Sequence, residues 1–344
     1  MAREAGAEGD DIMFTSNNTT FEEFSTALDS PESIINFDDI SFLDKPYWGS
    51  DIDFPETVSF RINPGKAHQG GDFIGKPEES KYGIMINQIN EAYTEAKKMG
   101  AKKFGMHTML CSNDLNFHNV ADTIRMLIKF AINLNGQTGI KLSFINIGGG
   151  MGIPYKSGDD SFKMDHLLET ISSLQKSLPF HMDFYMESGR YVAGPHGVLV
   201  NRAINRKDTY QTHVGVETAM PGLMRPAMYG AYHEISVVDS KSGKDKAEVL
   251  DIPKEMWNKV NVVGGICENC DRLATDRSLP PIRVGEIDGD FIVTADCGAY
   301  AAAMGFNYNG RTRPKGLLLR EDGKVVLVVR EEIVSDLLSR TEGL

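Results

Sequence analysis

Short apolar runs alternate with helix-type patterns through the first half of the chain, and this alternation constrains the fold most. The apolar runs lie at residues 11–16, 33–38, 57–63, 102–109, 143–148 and 182–187. Between them, stretches such as "QINEAYTEAKKMG" and "NVADTIRMLIKFAINL" carry apolar residues at three- and four-residue spacing, which is typical of helices. Strand–helix alternation predicts a parallel sheet covered by helices. The strand spacing of roughly 20–40 residues favours a (β/α)8 barrel of the TIM type.

The pattern changes near residue 193. Runs such as "GVLVNRAI", "TYQTHVGVE", "YHEISVVD", "NVVGGIC", "DFIVTAD", "GLLLRE" and "KVVLVVR" are short, rich in β-branched residues and separated by Gly, Pro and Asp. They are typical of a mainly antiparallel β domain. We therefore expect an α/β barrel domain at residues 1–193 and a β domain at residues 194–344; the alternative is a single α/β domain with a long tail.

The N-terminal segment "MAREAGAEGDD" has the Ala and Glu spacing of the end of a helix, and no N-cap precedes it. Six candidate strands are also two short of the eight that a closed barrel needs. Both features predict a barrel that is incomplete at its N-terminus, with about six of eight units.

Composition excludes several classes of protein. A net charge of -12 argues against non-specific binding to nucleic acid or to an anionic membrane. No apolar run approaches the roughly 20 residues of a membrane-spanning helix, and the N-terminus has no apolar signal core. Four cysteines are too few for a disulfide scaffold, so a reducing cytoplasm is expected.

Three glycines, Gly148, Gly149 and Gly150, follow the fifth candidate strand in "INIGGGMGIPY". Functional groups of a barrel lie where its strands end, and the N–H groups of such a turn converge on an anion, most often phosphate. A tight turn without a ligand explains the same glycines. The pattern is not GxxxxGK[ST], so a nucleotide-binding P-loop is not expected.

Two other strand ends carry polar side chains. Glu187 ends the sixth strand and Arg190 follows it, so the carboxylate could hold a pyridinium nitrogen protonated and the guanidinium could bind phosphate or carboxylate. A surface Glu–Arg pair is the alternative. His107 and Ser112 follow the fourth strand, and a hydrogen-bonded core histidine is the alternative there.

The β domain has further candidates. Arg225 and Tyr229 are four residues apart, and Tyr300 follows a glycine. A tight segment contains Cys267, Glu268, Cys270 and Asp271. With no second cysteine pair and no histidine pair nearby, the CxxC does not predict zinc; a lone thiol beside carboxylates could deliver a proton.

Together these motifs resemble a known family. "INIGGGMGIPY", "MESGRYV", "GGICENCDRLATDRSLP" and "DCGAYAAAMGFNYNGRTRP", with "VSFRINPG" and "SKYGI", are similar to the motifs of pyridoxal-phosphate-dependent group IV amino-acid decarboxylases of the alanine-racemase-like fold. The branch they resemble most is diaminopimelate decarboxylase, and the motifs occur in the family's order from about residue 2 to the C-terminus.

The resemblance implies a role for each matching residue. His107, Ser112, Gly148, Gly149, Gly150, Glu187, Gly189, Arg190 and Tyr300 would bind pyridoxal 5'-phosphate. Arg190, Arg225, Tyr229, Glu268 and Tyr300 would bind the amino-acid substrate. Cys267 would protonate the carbanion left by loss of carbon dioxide, in the active site of the partner subunit, which implies a homodimer with shared sites.

The chain departs from the family pattern at several positions. Met109 stands where a second histidine often stacks on the cofactor ring, Cys111 replaces a glycine, and Ser188 replaces the proline of Glu-Pro-Gly-Arg. Nothing in the chain resembles the "AVKAN"-type segment with the family's Schiff-base lysine.

The resemblance predicts decarboxylation of meso-diaminopimelate to L-lysine, in lysine biosynthesis. From the absent lysine we expect these 344 residues by themselves to be inactive. The alternatives are a related decarboxylase that acts on carboxynorspermidine, ornithine or arginine, and a non-catalytic remnant that keeps the fold.

Overall fold

A computed structural model describes residues 1–30, 32–67 and 76–342. The chain divides into two compact units. The first unit comprises residues 1–153 and 160–188, and the second comprises residues 154–159 and 189–344. The domain boundary expected between residues 193 and 194 stays a prediction.

The first unit is built on a parallel sheet. Its strands are β1 (Met13–Thr15), β2 (Ile34–Phe37), β3 (Thr57–Asn63), β4 (Ile84–Met85), β5 (Lys103–His107), β6 (Phe144–Asn146) and β7 (Asp183–Tyr185). Their order is β1-β2-β3-β5-β6-β7, all parallel, and β4 pairs with the end of β3. All six predicted strands are present in chain order in one parallel sheet, so the predicted (β/α) barrel-type fold of this part of the chain is confirmed.

In the described part of this unit, four helices accompany the sheet, namely α1 (Phe21–Leu28), α2 (Ile89–Lys98), α3 (Phe117–Thr138) and α4 (Met164–Ser177). Thr20 and Glu23 form a capping box at the start of α1, and α3 ends at Gly139 in a left-handed conformation. The buried side chains of α3 recur at helical spacing, from Val120 through Ile124 and Leu127 to Leu134. This spacing gives α3 one apolar face for the core.

Burial along the strands explains the apolar runs. Every residue of β2 is buried, and so is nearly all of β3, because a parallel sheet is covered on both faces. Phe37, Phe60 and Tyr93 are among the largest fully buried side chains. The N-terminal segment, expected to be a helix end, instead forms two short 3-10 turns at Arg3–Ala5 and Gly9–Asp11.

The second unit contains a six-stranded sheet and a hairpin. Its strands are β8 (Leu199–Asp208), β9 (Thr212–Val216), β10 (Ile235–Val238), β11 (Asn258–Val263), β12 (Arg272–Leu279), β13 (Phe291–Thr294), β14 (Gly316–Leu319) and β15 (Val325–Val329). The sheet order is β10-β13-β8-β9-β11-β12, and β14 pairs with β15. Every described pair except β9–β11 is antiparallel, which confirms the mainly antiparallel prediction.

Short helices interrupt this unit, namely α5 (Gly189–Ala193), α6 (Arg225–Tyr229), α7 (Lys246–Leu250) and α8 (Val334–Leu338). At α7 the Lys246 ammonium is buried against two carboxylates, 2.6 Å from Asp239 and 3.1 Å from Asp290. Arg283 approaches the same carboxylates at 3.6 and 3.8 Å. Two cations therefore compensate two buried anions.

Within the described residues, no helix has both the length and the apolar character that crossing a membrane requires.

Candidate active site

Polar side chains line the carboxyl edge of the parallel sheet in the first unit. Arg61 on β3 pairs in register with His107 on β5, and His107 pairs with Asn146 on β6. Residues in register on neighbouring strands project to the same face, so these three side chains form a row. Asn36 on β2 pairs with Ser59, two residues before Arg61 and on the same face of β3, and Glu187 follows β7. Functional groups of (β/α) barrels are found at this edge.

His107 is buried in this row and is neutral. Its Nδ1 accepts a hydrogen bond from Asn36 Nδ2 at 3.0 Å, which places the ring proton on Nε2. Nε2 lies 3.6 Å from Glu187 Oε1 and has no hydrogen-bond partner among the described residues. Burial, helped by the charge of Arg61, lowers the pKa of His107 to about 3. The ring therefore presents an N–H donor next to the Glu187 carboxylate.

Glu187 is held by a residue that sequence reasoning missed. Asn146 Nδ2 donates to Glu187 Oε1 at 2.7 Å, and Asn146 Oδ1 accepts from the Gly148 N–H at 2.8 Å. The Glu187 N–H in turn donates to the Gly148 carbonyl at 2.9 Å. One asparagine thus ties the carboxylate to the glycine loop, while 42% of the Glu187 side chain stays exposed.

The glycine loop needs glycine at each position. Gly148 and Gly150 have φ values of 67° and 107°, which disfavour any side chain, and a Cβ at Gly149 would lie 2.7 Å from the Glu187 carbonyl oxygen. Among the described residues, the N–H groups of Gly149 and Gly150 have no backbone acceptor. Two N–H donors are therefore available at the end of β6.

The segment that follows β5 packs against this loop. A Cβ at Gly150 would lie 2.5 Å from the Cys111 carbonyl oxygen, and one at Gly149 would lie 3.7 Å from Met109 Cε. Burial raises the pKa of the Cys111 thiol to about 12, so it is uncharged. Ser112 is partly buried at the end of this segment. The structure thus places Met109 and Cys111 beside the glycine loop, and the cofactor-binding role expected of Ser112 stays a prediction.

A second group of candidates gathers in the second unit around Tyr155. Arg190 Nη1 donates to the Tyr155 hydroxyl at 2.7 Å, and its guanidinium lies 4.8 Å from the Tyr300 ring centroid. The Arg225 guanidinium lies 4.7 Å from the Tyr155 centroid and is buried. Within the described residues Arg225 has no ion pair with a carboxylate. Arg190, Arg225 and Tyr300 are therefore brought together, through a tyrosine that the sequence analysis did not single out.

Two other candidates lie on the short helices. Gly189 is the first residue of α5, directly before Arg190. Tyr229 ends α6, one helical turn after Arg225, and is half exposed. Both residues therefore stand next to a candidate arginine.

The segment with Cys267 and Glu268 is a loop shaped by Asp271. The buried Asp271 carboxylate accepts from the Ile266 N–H at 3.1 Å and from the Met220 N–H at 2.8 Å. Cys267 is exposed, and its Sγ donates to Asn309 Oδ1 at 3.4 Å. Asp271 therefore holds a loop on which a thiol faces solvent.

The two thiols of the CxxC, Cys267 and Cys270, are both free. In the described residues no group of three or more His, Cys, Asp or Glu side chains is arranged to hold a metal ion.

Three of the residues that sequence reasoning missed share one signal. Asn36, Arg61 and Asn146 are polar residues inside otherwise apolar strands, and each is buried. A buried polar side chain needs a partner, so its presence in an apolar run marks a polar site. His233 beside β10 gives the same signal.

Comparisons with known proteins agree with these observations. Residues 1–194 match the family model "Pyridoxal-dependent decarboxylase, pyridoxal binding domain", and residues 120–298 match "Pyridoxal-dependent decarboxylase, C-terminal sheet domain". The chain is 37% identical over 338 residues to the protein TabA of Pseudomonas amygdali pv. tabaci, covering 98% of this chain and 75% of the relative. It is 35% identical over 343 residues to the diaminopimelate decarboxylase of Methanothermobacter thermautotrophicus, covering 97% and 75%.

The fold is also similar to that of a solved enzyme. A crystal structure of the M. jannaschii diaminopimelate decarboxylase in co-complex with L-lysine superposes with a TM-score of 0.84 at 26% identity, covering 100% of this chain and 77% of that one. These matches confirm the predicted family, its carboxy-lyase chemistry and its pyridoxal phosphate cofactor. Because the first family model spans more than half of the chain and relatives exceed 30% identity, the chain belongs to the pyridoxal-dependent decarboxylase family.

Proposed function

We propose that the protein decarboxylates meso-diaminopimelate at its D-centre and releases L-lysine. The observation that carries this proposal is the pair of guanidinium groups, Arg190 and Arg225, around Tyr155, with Arg225 buried and without a carboxylate partner among the described residues. A buried, uncompensated cation favours an anionic ligand. Diaminopimelate keeps a second carboxylate after decarboxylation, whereas ornithine and arginine do not. The similarity to the M. jannaschii complex with L-lysine supports the same choice.

The first unit fits the cofactor. The N–H groups of Gly149 and Gly150, which lack a backbone acceptor in the described residues, suit a phosphate. The Glu187 carboxylate, exposed on one side and anchored by Asn146 on the other, suits a protonated pyridine nitrogen. His107 Nε2 is a buried donor without a partner among the described residues, as expected of a group that awaits a ligand.

When bound, pyridoxal phosphate supplies an electron sink for the electron pair left on the substrate carbon as carbon dioxide departs. In the proposed mechanism the glycine N–H groups and Ser112 bind its phosphate. Glu187 would accept a hydrogen bond from the protonated ring nitrogen, and neutral His107 would add no competing positive charge.

The second unit would provide the substrate contacts and the proton. Arg190, Arg225 and Tyr300 bind carboxylate and orient the substrate, with Tyr229 and Glu268 at its amino end. The exposed Cys267 thiol delivers a proton to the α-carbon. We further propose that Cys267 acts in the partner's site of a homodimer. The free thiols of all four cysteines suit a reducing, cytoplasmic setting.

Carbon dioxide release tests the proposal, with meso-diaminopimelate, L-ornithine, L-arginine and carboxynorspermidine compared at equal concentration. Because the printed sequence has no segment similar to the family's lysine-bearing strand, the assay is run on this chain alone and on the chain preceded by that segment. Borohydride reduction and peptide mapping then identify the lysine that holds the cofactor. For the chain preceded by that segment we expect a kcat/KM that is highest for meso-diaminopimelate, with L-lysine as product, whereas this chain alone should release no carbon dioxide. A higher value for any of the other three amines would refute the substrate assignment.

Arg225→Ala provides a second test. Removing one partner of a buried arginine–carboxylate pair costs about 3–5 kcal/mol, so affinity for the substrate should fall at least a hundredfold while affinity for the cofactor changes little. Equal losses of both affinities would show that Arg225 does not bind the substrate.

A further inference from the structure

His233 is a buried histidine of the second unit that has no part in the proposed chemistry. It is 0% exposed and stands between α6 and β10. Both of its ring nitrogens have partners. Nε2 lies 2.7 Å from Arg225 Nη1, and Nδ1 lies 2.8 Å from the Ala295 carbonyl oxygen.

These two contacts determine where the ring proton is. A carbonyl oxygen only accepts hydrogen bonds, so Nδ1 carries the proton and donates it to Ala295. A guanidinium only donates, so Nε2 must present its lone pair to Arg225. Only the neutral Nδ1–H form of His233 satisfies both contacts at once.

The surroundings favour that neutral form. The charged or polar groups that face the ring are the guanidinium groups of Arg225, Arg190 and Arg277, the Ala295 carbonyl, the Tyr155 ring and the Cys297 thiol. Burial lowers the pKa of His233 to about 4, and the three guanidinium groups act in the same direction against the Ala295 hydrogen bond. Burial also raises the pKa of the Cys297 thiol to about 12, so this neighbour carries no charge.

Arg225 is thereby held from two directions. His233 accepts one of its N–H groups, and the Tyr155 ring lies 4.7 Å from its central carbon. Tyr155 also packs edge-on against His233, with ring centroids 5.0 Å apart. A guanidinium has five N–H donors in one plane, so fixing one N–H and one face fixes the direction of the others.

We propose that neutral His233 is a positioning residue that orients the Arg225 guanidinium toward a substrate carboxylate. The proposal rests on the carboxylate-binding role proposed above for Arg225. It assigns His233 no contact with the substrate. Loss of the Nε2 acceptor, by mutation or by protonation, should weaken substrate binding and leave cofactor binding unchanged.

The contact between His233 and Arg225 can be measured by NMR spectroscopy without any substrate. Histidine labelled with ¹⁵N gives a distinct signal for each of the eight histidines, and the signal absent from His233→Gln identifies His233. We expect the Nδ1–H tautomer in the wild type from pH 8 to pH 5.5. In Arg225→Met the Nε2 signal should shift and the ring should protonate at higher pH. An Nε2–H tautomer, or a His233 signal indifferent to Arg225→Met, would overturn the proposal.

Substrate binding supplies the second test. His233→Gln keeps an acceptor, His233→Phe keeps the ring shape without one, and His213→Phe is the control at a partly buried histidine of the same unit. Affinity for meso-diaminopimelate should fall at least tenfold in His233→Phe and stay within threefold of wild type in His233→Gln and His213→Phe. Affinity for pyridoxal phosphate should stay within twofold of wild type in all three variants. Equal affinities in His233→Phe and His213→Phe, or loss of cofactor affinity in parallel, would contradict the positioning role. A wild type that binds L-ornithine instead would refute the proposed substrate, and the variants would then be compared with L-ornithine.

Discussion

Asn146 and Glu187 are joined by a 2.7 Å hydrogen bond across 41 residues of chain, from the end of β6 to the second residue after β7. The other end of the same amide accepts from the Gly148 N–H. The position of the carboxylate and the shape of the glycine loop therefore depend on one side chain. This coupling makes Asn146 the most informative place to perturb the first unit.

Replacing Asn146 with leucine should weaken pyridoxal phosphate binding. The change keeps the volume but leaves Glu187 without its donor and Gly148 without its acceptor. Hydrogen bonds to charged groups contribute about 1.5–3 kcal/mol, so the dissociation constant should rise about tenfold to a hundredfold. A cofactor titration by calorimetry measures it, with Asn133→Leu on the exposed side of α3 as control. Equal affinities in the two variants would exclude Asn146 from the cofactor site.

Acid should destabilise the first unit through His107. Its pKa is about 3 in the folded protein and about 6.5 in an unfolded chain, so below pH 6.5 the unfolded state takes up the proton first. As far as His107 is concerned, the free energy of unfolding is therefore at its full value above pH 6.5 and decreases as the pH falls toward 3. The decrease reaches about 1.4 kcal/mol by pH 5.5.

Urea unfolding between pH 7.5 and pH 5.5 measures this effect. In His107→Gln the first unit should be less stable overall but should depend less on pH. The control His118→Gln, at an exposed position on α3, should keep the wild-type slope. A His107→Gln slope equal to that of wild type would mean that His107 protonates normally in the folded protein.

The buried ammonium of Lys246 should stabilise the second unit and leave the stability of the first unit unchanged. In Lys246→Met the carboxylates of Asp239 and Asp290 lose their nearest cation, and Arg283, at 3.6 and 3.8 Å, is the cation that remains beside them. We expect the thermal midpoint of this unit to fall by roughly 10 °C. Differential scanning calorimetry measures the midpoints of Lys246→Met and of the control Lys244→Met. Lys244 is exposed, so the control should unfold at the same temperature as wild type. An unchanged midpoint in Lys246→Met would show that the cluster contributes nothing to stability.

Mixed dimers should reveal whether active sites are shared. Both variants are made in the chain preceded by the family's lysine-bearing segment. If Cys267 acts in the partner's site, a Cys267→Ala chain and a Glu187→Gln chain are each inactive alone, but a hybrid dimer has one intact site. Random mixing makes half of the dimers hybrid, so about one quarter of wild-type carbon dioxide release should return. No recovery, with subunit exchange verified by mass spectrometry, would assign Cys267 to its own chain's site.

Local pattern alone was enough to predict the sheet of the first unit. Each of its six predicted strands is an apolar run bounded by turn residues or by helix periodicity, and burial on both faces of a parallel sheet makes such runs continuous. The two missed strands lack that signal. β4 contains two residues, too few for a period, and β12 contains Arg272, Asp276 and Arg277, whose polar side chains conceal the alternation.

The candidate residues were predictable where chemistry follows a strand end in sequence, as with Gly148–Gly150, Glu187 and Arg190. Their partners were not. Asn146 binds Glu187 across 41 residues, and Tyr155 accepts from Arg190 across 35. Arg225 donates to His233, and the other ring nitrogen of His233 donates to a carbonyl 62 residues further along the chain. Periodicity records which face of its own element a residue occupies, but not which distant segment will lie against that face. The sequence by itself therefore determined the elements, their order and the reactive groups, whereas only tertiary packing decided which polar group satisfies which, because that pairing depends on contacts between segments that local propensity does not encode.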